Sequence, residues 1–291
     1  RLSGIIRALD DSNLRARLIV IDPIPATDKQ LLAVHTKEHL TRVQQIVERG
    51  GGYLDPDTYT NEFSLDAARL AAGAVTRAAD AVMTREVANA FALPRPPGHH
   101  ATMSRAMGFC LFNNVAVGAQ HALDRYQLER VLIVDYDVHH GNGTQDIFYH
   151  SPRVLYFSTH QYPYYPGSGH WSETGEGAGA GYTINAPLAP FTGDAGYRQI
   201  FADLLAPAAR RFRPQLILAS VGFDAHWADP LAMENLTVAG YADLARDLIE
   251  IAQEVCDGRI VFVLEGGYHL SALAQGTLAT FRALLGDSDI D

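Results

Sequence analysis

The 291-residue chain has two cysteines, no long apolar run and no excess of basic residues. Cys110 and Cys256 form neither a Cys-x-x-Cys pair nor a disulfide framework, so a reducing, cytoplasmic location is expected. No apolar run approaches the roughly 18 residues that predict a membrane span. The formal net charge of −10 argues against a general affinity for nucleic acid. The chain begins at Arg1 rather than at methionine, so we expect its N-terminus to be incomplete.

The composition is that of an ordinary globular protein, with 47% hydrophobic residues. Apolar runs alternate with stretches of helical periodicity, which predicts an α/β fold with a doubly wound, mainly parallel sheet flanked by helices. No shift in composition divides the chain, so we expect a single domain over residues 1–291. The predicted strands span residues 87–93, 131–135, 154–159, 215–221 and 260–264. The predicted helices span residues 38–49, 65–84, 113–126, 194–211, 238–255 and 270–284, and residues 161–181 are expected to form a long functional loop.

The most informative segment is residues 135–143, where carboxylates and imidazoles follow a very apolar predicted strand. Ligand sites of open α/β sheets lie beyond the carboxyl ends of strands. Asp137 and His139 are two residues apart, so both side chains can point the same way at a strand end. Asp224 follows another predicted strand, and one imidazole with two carboxylates matches a catalytic zinc site. The alternatives are that these residues cap a loop or, for Asp224, a helix.

Two further strand ends carry reactive groups. His99 and His100 follow the strand predicted at 87–93, and adjacent imidazoles suit paired acid and base roles because their environments can separate their pKa values. Tyr268 follows the strand predicted at 260–264 and two glycines, which could bring its phenol to a reaction centre. Considered singly, the histidines could be an exposed pair and the tyrosine a core residue.

Taken together, these segments resemble the histone deacetylase and acetylpolyamine amidohydrolase superfamily, over nearly the whole chain and in the family's order. The resemblance implies the arginase–deacetylase fold. The matching segments are Arg95-Pro96-Pro97-Gly98-His99-His100, Gly108-Phe109-Cys110-Leu111-Phe112-Asn113-Asn114, Asp135-Tyr136-Asp137-Val138-His139-His140-Gly141, Gly222-Phe223-Asp224 and Glu265-Gly266-Gly267-Tyr268.

The resemblance implies one Zn²⁺ per chain, held by Asp137, His139 and Asp224. It also implies structural K⁺ or Na⁺ ions, partly bound through backbone oxygens. The positions that match one such site are Asp135, Asp137, His139, Ser158 and Thr159. The positions that match a second site are Phe148, Ser151, Val154 and Tyr182.

By the same resemblance, His99 and His100 are the family's tandem imidazoles. Asp135 matches the carboxylate that hydrogen-bonds His99, and Asn142 matches the residue that supports His100. A carboxylate favours the imidazolium more than an amide does, so the two rings are expected to titrate differently. Asparagine at 142, rather than aspartate, resembles the second class of these enzymes. Tyr268 matches the phenol that stabilises the oxyanion, which argues for a competent deacetylase.

The substrate is expected to enter by a narrow tunnel. Phe109 and Tyr165 match two aromatic residues that flank the substrate's methylene stem, and Gly108 matches a backbone acceptor in the wall. Leu231 falls where some polyamine-selective relatives have an acidic gatekeeper, so a neutral residue here favours acyl-lysine over acetylpolyamine substrates. We therefore expect a zinc-dependent amidohydrolase that removes acetyl or other short acyl groups from acyl-lysine or a related acylated amine, with an acetylpolyamine amidohydrolase as the alternative.

Two other classes of function are less favoured. A binuclear manganese ureohydrolase would need carboxylate ligands at the positions of Gly141 and Gly222. A non-catalytic acyl-amine sensor is not supported, because every expected ligand and catalytic side chain is present. The partner is expected to be the acylated substrate, with no nucleic acid or membrane, and the protein could be a monomer or a dimer. A structural role is expected for His140 and for the other histidines, namely His35, His39, His121, His150, His160, His170, His226 and His269.

Overall fold

A computed structural model describes residues 1–287 of the chain. Its eight strands within these residues are β1 (Gly51–Asp55), β2 (Thr58–Asn61), β3 (Ala90–Ala92), β4 (Val131–Asp135), β5 (Val154–Gln161), β6 (Thr183–Leu188), β7 (Leu216–Val221) and β8 (Ile260–Leu264). Six of them form a sheet in the spatial order β3-β8-β7-β4-β5-β6, and all neighbouring pairs are parallel. The other two, β1 and β2, form an antiparallel hairpin. The α/β prediction with a mainly parallel sheet is confirmed.

The chain reverses its direction of winding between β4 and β7, which are neighbours in the sheet. From β4 it proceeds outward through β5 to the edge strand β6, and it returns through β7 to β8. In doubly wound sheets a crevice opens at such a point, outside the carboxyl ends of the strands. Because Asp135 ends β4 and Val221 ends β7, the two segments that carry the predicted metal ligands meet at this crevice.

Helices cover both faces of the sheet. Within residues 1–287 the α-helices are α1 (Leu2–Asp11), α2 (Asp28–Leu31), α3 (Lys37–Glu48), α4 (Ser64–Met83), α5 (Asn114–Arg125), α6 (Asn142–Phe148), α7 (Asp194–Ile200), α8 (Ala206–Phe212), α9 (Val238–Cys256) and α10 (Leu270–Leu284). Successive side chains of β4 point to opposite faces. Leu132 and Val134 join the core that contains α1, α9 and α10, whereas Val131 and Ile133 join the core that contains α4 and α5. Both faces of the sheet are therefore buried. This packing holds the strands in place and, with them, the strand ends that carry the site.

Most predicted elements match the structure, and three differences have a physical reason. The strand predicted at 87–93 is shorter: β3 is an edge strand of three residues that, among the described strands, pairs only with β8, so fewer backbone contacts extend it. The helix predicted over 194–211 is divided into α7, a π-helical turn at Phe201–Leu205 and α8, because Pro207 at the start of α8 has no N–H for the regular ladder. The strand β6 was not among those predicted, because Asn185 and Pro187 break its apolar pattern. Its position at the edge of the sheet tolerates a proline.

The structure bears on the predicted location only through its helices and its cysteines. Within residues 1–287, no helix combines the length and the hydropathy that crossing a membrane requires. Cys110 and Cys256 are both buried and free. The single domain over residues 1–291 stays a prediction, and residues 288–291 lie outside the described part of the chain.

Candidate active site

Asp137, His139 and Asp224 form a buried cluster in the crevice between β4 and β7. One ligand atom from each of the three side chains lies within 4.8 Å of the others. Nδ1 of His139 is 3.1 Å from Oδ1 of Asp137 and 3.3 Å from Oδ2 of Asp224. The backbone N–H of Gly266 donates to Oδ2 of Asp137 at 2.8 Å. The N–H of Val138 donates to Oδ1 of Asp224 at 3.1 Å, so the backbone orients both carboxylates. The structure thus brings together the three predicted metal ligands.

The electrostatics of this cluster favour a bound positive charge. Burial opposes protonation of His139, but its contacts with Asp137 and Asp224 outweigh burial and raise the pKa of this imidazole well above its usual value. Oδ2 of Asp224 is buried, and no group within residues 1–287 makes a hydrogen bond of good geometry to it. A buried carboxylate oxygen without a hydrogen-bond donor is costly unless a cation compensates it. One imidazole and two carboxylates are also ligands that suit zinc.

Gly222 and Gly141 lie where the backbone closely approaches buried carboxylates. A Cβ added to Gly222 would lie 2.0 Å from Oδ2 of Asp137 and 2.5 Å from Oδ1 of Asp224. A Cβ added to Gly141 would lie 2.1 Å from Oδ2 of Asp135. Any larger side chain would therefore displace these carboxylates. Positions 141 and 222 are those at which a binuclear manganese site would need additional ligands, so the local packing argues against that alternative.

The tandem histidines have two different partners, which are the predicted ones. The ring centroids of His99 and His100 lie 4.0 Å apart, and both rings are buried. Nδ1 of His99 is 3.0 Å from Oδ2 of Asp135, whereas Nδ1 of His100 is 2.8 Å from Oδ1 of Asn142. Because both partner oxygens accept, each Nδ1 carries the proton and donates it. Nε2 of His99 lies 3.8 Å from Oδ1 of Asp137, so this ring faces the cluster of Asp137, His139 and Asp224.

The environments of the two imidazoles shift their pKa values in opposite directions. Burial opposes the charged form of His99, but the carboxylates of Asp135 and Asp137 outweigh it and raise the pKa of His99 to about 10. Burial, together with the positive charges of His99 and His139, holds the pKa of His100 well below its usual value. The two environments therefore favour the charged form of His99 and the neutral form of His100, an arrangement that suits separate acid and base roles.

Tyr268 lines the same pocket as the tandem histidines. Its ring meets that of Phe109 edge to face with a centroid distance of 6.1 Å. The guanidinium of Arg1 lies 5.1 Å from the centroid of the Tyr268 ring, and its Nη2 donates to the carbonyl oxygen of Glu265. Burial and then the carboxylates of Asp224 and Asp137 raise the pKa of the phenol, so it stays protonated and able to donate a hydrogen bond.

A pocket leads from the surface to the cluster. Phe109, Tyr165 and Leu231 are each between 36% and 38% exposed, which places them at its rim. The ring of Tyr165 meets the ring of His100 edge to face at 5.2 Å. The structure therefore brings all four predicted substrate-binding residues, including Gly108, to one pocket. Its lining consists of Asp57, Pro97, His99, His100, Gly108, Phe109, Asp137, His139, Tyr164, Tyr165, Leu231, Gly266 and Tyr268.

Three residues around this pocket were not predicted from the sequence. Tyr164 stacks on the ring of His139, with centroids 5.8 Å apart and an interplanar angle of 25°. Asp57 accepts from the N–H of Gly108, and Thr58 accepts from the N–H of Phe109, both at 3.1 Å. The β1–β2 hairpin thereby holds Phe109 at a φ of 66°, a conformation that is uncommon for a bulky residue. Tyr164 was detectable as the neighbour of Tyr165, but the hairpin contact depends on tertiary structure.

The residues predicted to hold monovalent cations lie in two places. Ser158 and Thr159 lie within β5, and Ser158 is in register with Asp135 on the neighbouring strand β4. The other four, Phe148, Ser151, Val154 and Tyr182, lie around the connection from α6 to β5 and the start of β6. Two of their carbonyl groups already accept backbone hydrogen bonds, that of Phe148 from Ser151 and that of Tyr182 from Tyr156. Each carbonyl has a second lone pair, so the contacts are compatible with cation binding.

The other buried histidines of the β4–β5 region have protein partners. Nδ1 of His140 bonds with Oγ of Ser168 at 2.8 Å, and its Nε2 bonds with Oε1 of Gln145 at 3.0 Å. His160 bonds through Nε2 to the carbonyl oxygen of Gly169 at 2.8 Å. Both ring nitrogens of His140 therefore bond to residues other than Asp137, His139 and Asp224, as a structural role requires.

Comparison with known proteins identifies the class of this chain. The histone deacetylase domain family matches residues 1–284. The chain therefore belongs to the histone deacetylase family. It is an amidohydrolase of that family in fold and sequence, with the mostly parallel, helix-flanked α/β sheet of its solved relatives.

Individual relatives agree with this assignment. A probable deacetylase of Archaeoglobus fulgidus is 44% identical over 271 residues, which cover 93% of this chain and 75% of that protein. A histone deacetylase-like amidohydrolase of Pseudomonas aeruginosa is 42% identical over 281 residues, which cover 96% of this chain and 73% of that protein. The crystal structure of the HDA15 HD domain matches with a TM-score of 0.95 and 41% identity, covering 99% of this chain and 81% of that one.

Proposed function

We propose that the chain is a zinc-dependent amidohydrolase that removes acetyl or other short acyl groups from acyl-lysine or a related acylated amine. The observation that carries this proposal is the convergence, at the base of one aromatic pocket, of a metal-binding cluster, two differently partnered imidazoles and a phenol. These are the groups that amide hydrolysis needs: an electrophile site, a base, an acid and an oxyanion donor.

Asp137, His139 and Asp224 are the residues that would hold the zinc ion. The fit rests on their donor types, their mutual distances and the buried Oδ2 of Asp224, which receives no hydrogen bond of good geometry from the described residues. When bound, zinc supplies Lewis-acid polarisation of the amide carbonyl and lowers the pKa of a water molecule.

The protein's own groups would then move the protons. His100 is neutral and donates through Nδ1 to Asn142, so its Nε2 has a free lone pair that can take a proton from the attacking water. A C–O bond forms at the carbonyl carbon, and the C–N bond then breaks. The leaving amine receives a proton from the imidazole pair, in which Asp135 holds His99 in the charged form. The products are a short carboxylate and a free amine.

Tyr268 would stabilise the oxyanion that develops on the carbonyl oxygen. Its raised pKa keeps the hydroxyl protonated, so the phenol acts as a hydrogen-bond donor. Loss of one such donor typically lowers kcat by about 10²–10³-fold. Phe109 and Tyr165 at the rim would contact the aliphatic stem of the substrate, and Gly108 would offer a backbone acceptor beside them.

The neutral side chain of Leu231 at the rim favours acyl-lysine over acetylpolyamines, because it offers no carboxylate to a second ammonium group. The test is turnover by the zinc-loaded protein of an acetyl-lysine peptide, longer acyl-lysine peptides, acetylputrescine and acetylspermidine, each with and without a chelator. Chelator-sensitive turnover concentrated on the peptides supports the proposal. Preference for the polyamines would establish the alternative activity, and no turnover of any substrate with zinc bound would point to an acyl-amine sensor.

Three further properties belong to the same proposal. Potassium or sodium ions would stabilise the strand ends next to the metal-binding cluster and the connection from α6 to β5. The two free, buried cysteines are compatible with a cytoplasmic protein. Acylated substrate is the proposed partner, without nucleic acid or membrane, and the active form would be a monomer or a dimer.

A further inference from the structure

One buried carboxylate connects two parts of the pocket that the mechanism treats separately. Asp229 lies in the segment between β7 and α9 and is 6% exposed. Its Oδ2 accepts from the N–H of Tyr268 at 2.7 Å and from the N–H of His269 at 3.1 Å. Its Oδ1 accepts from the N–H of Leu231 at 3.0 Å. The same side chain therefore holds the backbone of the phenol and the backbone of the residue at the rim.

The position of Tyr268 depends on such an external contact. The residue before it, Gly267, has a φ of 113°, a conformation in which glycine is far freer than any other residue. On the other side of that glycine, the N–H of Gly266 is bonded to the metal-binding residue Asp137. After the glycine, Asp229 accepts from the N–H of Tyr268. The backbone is therefore held by a carboxylate on each side of Gly267.

Leu231 is also held at both of its backbone groups. Asp229 accepts from its N–H, and the hydroxyl of Tyr164 donates to its carbonyl oxygen. The ring of Tyr164 in turn stacks on the metal-binding residue His139. Leu231 is therefore connected to Tyr268 through the carboxylate of Asp229 and to His139 through the ring of Tyr164.

We propose that Asp229 is a positioning residue that sets the oxyanion donor Tyr268 and the rim residue Leu231 in a fixed relation to each other. It touches neither substrate nor metal and acts only through these two residues. A carboxylate suits this task because it has two oxygens and accepts several N–H groups at once, whereas an amide offers one acceptor oxygen. This inference rests on the proposed amidohydrolase function, since it concerns the geometry of that reaction.

The test is the variant Asp229→Asn in the wild-type and Tyr268→Phe backgrounds. In the wild-type background we expect kcat to fall by about 10- to 100-fold with zinc content unchanged, since misplacement of a catalytic group by about 1 Å can cost that much. In the Tyr268→Phe background the same substitution should change kcat by less than about threefold, because the donor that Asp229 positions is already lost. Equal losses in the two backgrounds would overturn the proposal.

A matched control separates positioning from stability. Asp194 accepts from the N–H and the hydroxyl of Thr237 at 2.9 and 2.7 Å and so fixes the start of α9, and neither Tyr268 nor Leu231 is among its hydrogen-bond partners. Asp194→Asn should lower thermal stability and leave kcat within about twofold. If its kcat falls as much as that of Asp229→Asn, the effect is general loosening and the proposal is wrong. Should Asp229→Asn fail to fold, Asp229→Glu, which keeps the charge and shifts both oxygens, is compared in its place.

A measurement without turnover distinguishes this proposal from the proposed function. In wild-type protein the amides of Tyr268 and His269 should exchange slowly with deuterium, and in Asp229→Asn they should exchange at least tenfold faster. Faster exchange in a protein that hydrolyses none of the substrates would support the positioning contact while the proposed function failed. Unchanged exchange at both amides would overturn the positioning contact even in an active enzyme.

Discussion

Acid should destabilise the folded chain through His35, a buried imidazole outside the active site. Its Nδ1 donates to the carbonyl oxygen of Thr102 at 2.9 Å, and its Nε2 accepts from the N–H of Asn113 at 2.9 Å. Burial, and secondarily the charge of His39, lowers the pKa of His35 to about 3. A second proton on the ring would break the bond from Asn113, which also caps α5.

The sign of the effect follows from the two pKa values. The folded pKa lies below the usual 6.5 of the unfolded chain, so the unfolded state binds more protons between about pH 3 and 6.5. Stability from His35 is therefore fully present above pH 6.5 and is lost as the pH falls through this window. At up to about 1.4 kcal/mol per pH unit, this one residue should cost about 2 kcal/mol of unfolding free energy between pH 7.5 and 5.

The assay is urea unfolding at pH 7.5, 6 and 5 for the wild type, His35→Gln and the exposed control His150→Gln. Between pH 7.5 and pH 5, the unfolding free energy of the wild type should fall by about 2 kcal/mol more than that of His35→Gln. This difference is expected whatever the stability of His35→Gln at pH 7.5. The control should follow the wild type. Equal pH dependence of wild type and His35→Gln would refute the reasoning, as would an NMR titration that places the pKa of this ring near its usual value.

Three further substitutions test the candidate active site. Gly222→Ala should abolish zinc binding, because the new Cβ would lie 2.0 Å from Oδ2 of Asp137. Metal analysis checks this, with Gly4→Ala as the control, since a Cβ at Gly4 would meet nothing within 4 Å. Asp224→Asn should weaken zinc affinity by more than the roughly 10–100-fold typical of outer-shell changes, and competition with a chelator measures it. Tyr268→Phe should keep its zinc and its fold while kcat falls by about 10²–10³-fold in a single-turnover assay, and near-normal turnover would remove the phenol from the mechanism.

Much of the site could be predicted because its chemistry lies in short segments that directly follow apolar strands. The strand that ends at Asp135 is buried on both faces, so its apolar run is unbroken and its end is easily located. The parallel order of the sheet then places Asp224 beside Asp137, although the sequence alone does not state which strands are neighbours. In the structure this neighbour relation is set by the doubly wound order of the sheet, in which β4 pairs with β7.

The residues that escaped prediction depend on contacts between distant segments. Asp229 resembles an ordinary turn residue before proline, and its role emerges only from its bonds to Tyr268 and Leu231. Asp57 lies in a hairpin whose sequence, rich in glycine and polar residues, gives little strand signal, yet it holds the Gly108 turn at the pocket rim. Secondary structure follows from local pattern, whereas these positioning contacts follow from the tertiary arrangement.

The reversal of winding between β4 and β7 also has a consequence for how the protein is made. Asp137 and His139 leave the ribosome well before Asp224, which follows the seventh strand in chain order. A nascent chain therefore offers at most two of the three proposed zinc ligands until Asp224 has been synthesised. Under the proposed function, the complete ligand set forms only when β7 pairs with β4 and brings Asp224 beside the other two residues.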